Sequence, residues 1–321
     1  MKSFIVYPSA FQFWMHTPNS GKKIFCNNFD LCGFNRKALQ ETAKKYNLSF
    51  PLHIALPYNA ERKHGKDFVC HTISRRLPAN GFIRISEDVY VASPELCFLQ
   101  AAAVEPIHRL VSIGNDLCGT YYLTNAAKYN QRYRKSITSV EELKDLISCS
   151  EHVNGLYNAR IAVKYVLNDS YSPYESMIAA VAILPYRYGG FALPRAQLNY
   201  NIKLSIEAAK SLRRESCNCD MAWVIESVVL EYDSNLTHLE KDQHDYDKRR
   251  ANALTASGYT LITAVTEDFK FYSRYEALFD LVRRKLNAKF HKDRMEKFAS
   301  KRREVFDDLF GRWKYSARPP I

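Results

Sequence analysis

Apolar and polar positions recur along this chain with two different periods, and the switches between them mark out its elements. In the first half, "PLHIAL" (51–56), "DFVCHTI" (67–73) and "GFIRI" (81–85) have the dense apolar pattern of short strands. The last two are separated by "SRRLPAN", whose proline and asparagine suit a turn. "VYVASPELCFLQAAAV" (89–104) then changes period: a short strand, Ser93 as N-cap, Pro94 at the first helical position, and a helix through Ala103. "SITSVEELKDLIS" (136–148) predicts a second helix, capped by Thr138 or Ser139, with Glu142 in its first turn.

The polar stretch "EHVNG" (151–155) predicts a domain boundary near residue 150, between an α+β domain (1–150) and a second domain (151–321). "LYNARIAVKYVLN" (156–168) is then a linking helix or the first helix of the second domain. From Ser172 the pattern is more regular. "SPYESMIAAVAILP" predicts a helix with Ser172 as N-cap and Pro173 after it, burying Met177, Ile178, Val181 and Leu184. "RAQLNYNIKL" alternates as a half-buried strand does, and "CDMAWVI" and "SVVLEY" follow as strands joined at Glu226–Ser227. "HLEKDQHDYDKRRANALTAS" is helical, Gly258 stops it, "YTLITA" is another strand, and a helix returns from Arg274. This order predicts an α/β sandwich with a mixed sheet.

The 321 residues are 46% hydrophobic and 25% charged, an ordinary globular balance. The longest apolar run, "MIAAVAIL" from Met177, is far short of the ~20 residues of a membrane span. "MKSFIVYPSAFQFWM", broken by Pro8, has no small-residue cleavage site, so a cytoplasmic protein without a membrane partner is expected. The eight cysteines are scattered, and Cys217-x-Cys219 with His238 and His244 downstream is too sparse a pattern to predict zinc. The net charge of +12 changes the picture more, because it points to an anionic partner such as nucleic acid. Thirteen Lys and Arg against five acids lie between Leu281 and Ile321, interleaved with Phe290, Phe298, Phe306, Phe310 and Trp313. Such a segment either offers cations to a phosphate backbone or is a solvated helical face. Arg249, Arg250, Arg302 and Arg303 are the candidate nucleic-acid contacts.

Phosphodiester cleavage with Mg²⁺ needs hard oxygen ligands beside the scissile phosphate. If the two central strands pair as a hairpin about Glu226–Ser227, Asp220 at the start of one lies beside Glu231 near the end of the other. A glycosidase pair is the competing use of two carboxylates, disfavoured by the basic balance and by only three tryptophans.

The helix "SPYES", the strand "RAQLNYNI", Asp220, "VVLEYD", His238 and "DYDKRRANALTASGYTLIT" resemble the PD-(D/E)XK nuclease superfamily, in particular its very-short-patch-repair-endonuclease-like branch. The resemblance spans about Ser170 to Phe271. It implies a restriction-endonuclease-like sandwich, Mg²⁺ or Mn²⁺ as cofactor, and DNA as substrate in phage defence or DNA repair. It also implies Asp220 and Glu231 as metal ligands, Glu175 leaning into the site, His238 acting on the attacking water, and Asp247 with Arg250 as a D-x-x-R pair. Asp233 stands where many relatives have the motif lysine. Without that lysine, Lys203, Lys241 or His238 has to support the nucleophile, or the site has lost catalysis and the chain is a DNA-binding regulator of the antitoxin type.

Each residue has a plainer reading beside this one. Ser172-x-x-Glu175 is a capping box, Asp233 opens the turn "DSN", His238 caps the helix after it, and Asp247–Arg250 is a surface ion pair. The first half more loosely resembles abortive-infection type IV antitoxin (AbiEi)-like regulators, through "SAFQFWMH", "CHTISRRLP" and "GFIRISEDVYVASPELCFLQAA". Arg75 and Arg76 are the residues there that would face nucleic acid.

Overall fold

A computed structural model describes residues 2–18, 24–26, 33–57, 66–73, 78, 80–124, 130–233 and 241–311, with the backbone alone for 73, 130 and 241–247. His238, Arg75 and Arg76 lie outside the described residues, and so do the side chains of Lys241, His244 and Asp247. The chain is mixed α/β and forms two compact units, Met1–Val166 and Leu167–Pro320. Among the described residues no helix is long and apolar enough to cross a membrane.

The first unit is built on a mixed sheet in the order β3-β2-β1-β5-β4, from β1 (Ser3–Ile5), β2 (Leu52–Pro57), β3 (Phe68–Ile73), β4 (Phe82–Arg84) and β5 (Val89–Ala92). Helices α1 (Ser9–His16) and α2 (Arg36–Tyr46) come before β2 in the chain. Helix α3 (Pro94–Ala101) begins as its sequence predicts: Ser93 Oγ accepts the amide of Leu96 at 3.2 Å, ahead of Pro94. After α4 (Ile107–Leu117) comes a hairpin of β6 (Tyr121–Thr124) and β7 (Asn130–Tyr133). Ser139 caps α5 (Val140–Ser148), accepting from the amide of Glu142 at 3.2 Å.

The division between units falls at Val166–Leu167, beyond the boundary expected near residue 150. The polar stretch "EHVNG" is a tight return inside the first unit. Gly155 takes a left-handed φ of 84° so close to α3 that a Cβ there would come within 2.4 Å of the Ala103 amide nitrogen. The following helix α6 (Leu156–Ala162) buries Ala159 and Ala162 and packs on α4 and α5.

The second unit opens with α7 (Pro173–Ile183), buried from Glu175 to Ile183. Then come β8 (Gln197–Lys203), α8 (Ile206–Leu212), β9 (Ser216–Trp223), β10 (Val228–Asp233), α9 (Lys241–Ala256), β11 (Thr260–Val265), α10 (Tyr272–Lys285), α11 (Lys292–Lys297) and α12 (Ala299–Leu309). The sheet order is β11-β10-β9-β8, antiparallel from β8 to β10 and parallel between β10 and β11, which α9 connects. Helix α8, inside the β8–β9 connection, is an element the apolar pattern did not mark. Gly258, at φ 89°, ends α9 where its sequence position predicts.

Alternation along β10 turns Val229 and Glu231 to one face and Leu230 and Tyr232 to the other. On Val229's face Ile202, Leu204, Leu212, Cys217, Cys219, Ala253 and Leu254 form a core beneath α8 and α9. A separate aromatic core joins Tyr174, Tyr232, Phe269, Tyr275, Phe279, Phe306 and Phe310, with Phe191 stacked on Phe279 at 4.3 Å.

On neighbouring parallel strands of the first unit, His53 Nδ1 stands 2.8 Å from His71 Nε2. Burial, and secondly the charge of His71, push His53 down to about 4 from the ordinary 6.5. An unfolded chain protonates His53 near 6.5 while the folded chain resists down to about 4. The neutral pair therefore contributes fully above pH 6.5, and its contribution is lost as pH falls through that window. Urea midpoints at pH 7 and pH 5 should differ less for His53→Asn than for the unaltered chain; equal differences would show that the pair carries no such linkage.

Candidate active site

Asp220 lies in the middle of β9, not at its start as the sequence pattern suggested, because β9 extends back to Ser216 in register with Lys203 of β8. What distinguishes its position is a break in the sheet. The β8–β9 ladder pairs Leu198 with Met221 and Tyr200 with Cys219, leaving Asn199 opposite Asp220 with a left-handed φ of 46°. On the other edge the β9–β10 ladder pairs Leu230 with Met221, and one residue further Asp220 Oδ2 accepts the amide of Tyr232 at 2.7 Å. A carboxylate has taken the place of a ladder partner where two strands begin to part.

Glu175 reaches the same break from the start of α7. Ser172 Oγ accepts the Glu175 amide at 3.1 Å, so Ser172 is the N-cap, but the return bond of a capping box goes to the Tyr171 amide and not to that of Ser172. The Glu175 carboxylate, 7% exposed, also accepts from the amide of Tyr171 at 2.9 Å and from Asn199 Nδ2 at 3.2 Å. Burial, then the charge of Asp220, push Glu175 up to about 8. Asp220 is itself raised, chiefly by burial and further by Asp233, against the Tyr232 amide and Arg250.

Glu231, 8% exposed on the α9 face of β10, is held by Arg250 of α9 in a fork: Nη2 donates to Oε1 at 2.8 Å and Nη1 to Oε2 at 3.1 Å. Arg250 Nη2 also donates to the carbonyl of Asn218. Sequence spacing paired Arg250 with Asp247, whose side chain lies outside the described residues; the helix turns Arg250 to Glu231. Burial and the charge of Asp220 still push Glu231 up to about 8. Cys217 and Cys219 adjoin the pair: the thiol of Cys219 donates toward Glu231, and Arg250 draws Cys217 down to about 7 after the larger effect of its bond with Cys219.

The structure therefore brings Glu175 and Glu231 each within electrostatic reach of Asp220, with half-buried Asp233 acting on Asp220 from the end of β10. Lys203 is exposed, paired in register with Ser216 four residues before Asp220. Sequence reasoning missed Asn199, which fits the polar positions of the alternation in "QLNYNI" and so carries no signal of its own. It also missed the stack of Tyr174 on Tyr232, 4.7 Å apart and nearly parallel, which ties the start of α7 to β10. Among the described residues no group of three or more His, Cys, Asp or Glu side chains stands close enough together to hold a metal ion.

Of the expected nucleic-acid contacts, Arg249 is exposed on α9. Arg302 is not a surface residue: it is 3% exposed, donates to Glu276 at 2.9 and 3.1 Å and to the carbonyl of Met295 at 3.3 Å, and lies over the ring of Phe191. It shares the buried face of α12 with Val305, Phe306 and Leu309, so it is a packing residue of the second unit. Arg303 is exposed, pairs with Asp307 at 3.0 Å and lies over the Tyr272 ring.

Comparisons with family models, with curated proteins and with solved structures return no match for this chain.

Two predictions follow from these charges. Glu175 holds its proton up to about pH 8 in the folded chain and to about 4.5 when unfolded, so its stabilising contribution is full below 4.5 and is lost as pH rises through 8. Thermal melts at pH 5, 7 and 9 should therefore show Glu175→Gln more stable than the unaltered chain by several degrees at pH 9 and nearly equal at pH 5. Arg250→Ala strands a buried carboxylate, which costs about 3 kcal/mol at pH 9 and less at pH 6, where Glu231 takes up a proton. Adding Glu231→Gln should recover most of that loss in a denaturant titration.

Proposed function

We propose that the second unit is a PD-(D/E)XK-type domain that hydrolyses DNA phosphodiesters with Mg²⁺ or Mn²⁺. The observation that carries this reading is the gathering of buried Glu175 and Glu231 about half-buried Asp220, three carboxylates from three elements, at one break in a sheet. A fold that buried them for stability alone would lose by it, since each pays desolvation and is repelled by a neighbour. The order of elements supports the same reading: a helix, three antiparallel strands, a crossover helix, and a strand parallel to the third.

Asp220 and Glu231 are the residues that would hold the ion. Their donor chemistry fits, because hard carboxylate oxygens that repel one another gain most from a dication. When bound, the ion supplies positive charge for the developing phosphorane and acidifies a water. The chain's own residues supply the rest. Glu175, its carboxyl raised to about 8, gives up or takes a proton near neutrality, where a general acid or base is most effective. Asn199 and the Tyr171 amide hold it in one orientation. Asp233 adds negative field at Asp220, and His238 keeps the role of orienting or deprotonating water that the resemblance implies.

A second reading has its own observation. Arg250 forks Glu231, and Asp233 stands where a lysine is common, so the scaffold also suits a DNA-binding regulator of the antitoxin type that does not cleave.

Incubating supercoiled plasmid with the full chain should give nicked circles with Mg²⁺ or Mn²⁺ and none with EDTA, and Asp220→Asn should abolish nicking while the melt is retained. Equal nicking by Asp220→Asn would sink the nuclease reading. Salt-sensitive DNA binding without nicking, and without heat on titration with Mg²⁺, would select the regulator.

A further inference from the structure

Strand β11 closes one side of the second unit's sheet, with β10 as its one strand neighbour among the described residues. The Thr260 amide donates inward, to the Ser227 carbonyl of the turn before β10, at 2.8 Å. Alternation then turns the amides and carbonyls of Leu261, Thr263 and Val265 outward. The Val265 amide is closed by Asp268 Oδ2 at 2.9 Å, which leaves the outward groups of Leu261 and Thr263. Two donors and two acceptors in a row make a template for another extended chain.

Beside this edge runs an open groove of about 620 Å³ between β11 and α10. Its helical wall is a single stripe: Arg274, Leu278, Leu281 and Lys285 follow one another at intervals of four, three and four residues. The stripe is apolar in its middle, where Leu281 remains 37% exposed, and cationic at both ends. Arg274 has an acid only at 3.9 Å, Glu267, with both side chains about half exposed, and Lys285 has no ion-pair partner among the described residues. The two cations are eleven residues apart, about 16 Å along the helix, which matches about five residues of extended chain.

We infer that this edge and groove form a docking site for an extended peptide segment of a partner protein, about five residues long, with apolar side chains at alternate positions and an acidic residue at each end. The segment adds a strand to β11 through Leu261 and Thr263, lays its apolar side chains on Leu278 and Leu281, and meets Arg274 and Lys285 with its carboxylates. Charge decides between this occupant and a second copy of the chain. A two-fold β11–β11 pairing brings two copies of a stripe with cations at both ends together, in a protein already carrying +12. The site stands whether or not the carboxylate cluster cleaves DNA.

The test is selection of a displayed random heptapeptide library against the full chain, followed by affinity measurement on synthesised winners. The expected winners have alternating apolar residues and acidic ends, slow the hydrogen exchange of the Leu261 and Thr263 amides, and lose about tenfold in affinity to a chain carrying Arg274→Glu and Lys285→Glu. Both substituted residues are exposed, so the variant should melt as the unaltered chain does. Winners without acidic ends, or binding unchanged in the variant, overturn the inference. So does protection of the same two amides by a DNA duplex alone, or by self-association that Leu281→Arg abolishes.

Discussion

Where β9 parts from β10, the amide of Tyr232 needs an acceptor, and a buried amide left without one costs about 1–3 kcal/mol. Asp220 meets that need with its side chain. Much else about the second unit depends on this substitution of a side chain for a strand. It brings a carboxylate into a desolvated position between β10 and the end of α7. It sets Asn199 opposite, in a left-handed conformation, where its amide reaches Glu175 and the Asp169 carbonyl. It also makes Asp220 the charge to which Glu175 and Glu231 both respond.

The two flanking carboxylates are stabilised differently. Glu175 is satisfied by neutral donors, the Tyr171 amide and the Asn199 side chain, none of which cancels its charge. Glu231 has a full countercharge in Arg250, and the guanidinium is committed at the same time to the Asn218 carbonyl of β9. The Arg250 fork thus spans β9 and β10 on the face opposite Tyr232, while the stack of Tyr174 on Tyr232 joins α7 to β10 from the other side. The sheet is held open at one point and clasped on both faces beside it.

Local signals in the sequence were the ones that survived folding. Serine before proline announced the starts of α3 and α7, and Gly258 the end of α9, because caps act over three or four residues. The juxtaposition of Asp220 and Glu231 was legible from two apolar runs and a turn at Glu226–Ser227. Nothing local reveals how α9 is rotated about its axis, so the fork of Arg250 on Glu231, set by the core under Ala253 and Leu254, was not legible in the sequence. Arg302 was misjudged for a related reason: an arginine in a basic helix looks solvated unless Glu276, twenty-six residues away in α10, is known to sit beneath it. The boundary was placed too early because a glycine-containing polar stretch has the same composition whether it links two domains or turns back on one.

The absent motif lysine weighs on the proposed chemistry in two opposite ways. A lysine at 233 would give the break a second cation beside Arg250; with aspartate there, Asp233 adds negative charge at Asp220 while Arg250 is forked to Glu231, and the local field favours a cation more strongly. The same replacement removes a group that could steady an attacking hydroxide. In the proposed site that task falls to His238 and to the two glutamic acids whose carboxyls are raised to about 8 and so change charge close to neutrality. Glu231 is partly committed to Arg250, whereas Glu175 is held only by neutral donors. In the proposed site, aspartate in place of lysine thus separates attraction of the ion from handling of the proton, and among the described residues the second would fall to Glu175 in the first turn of α7.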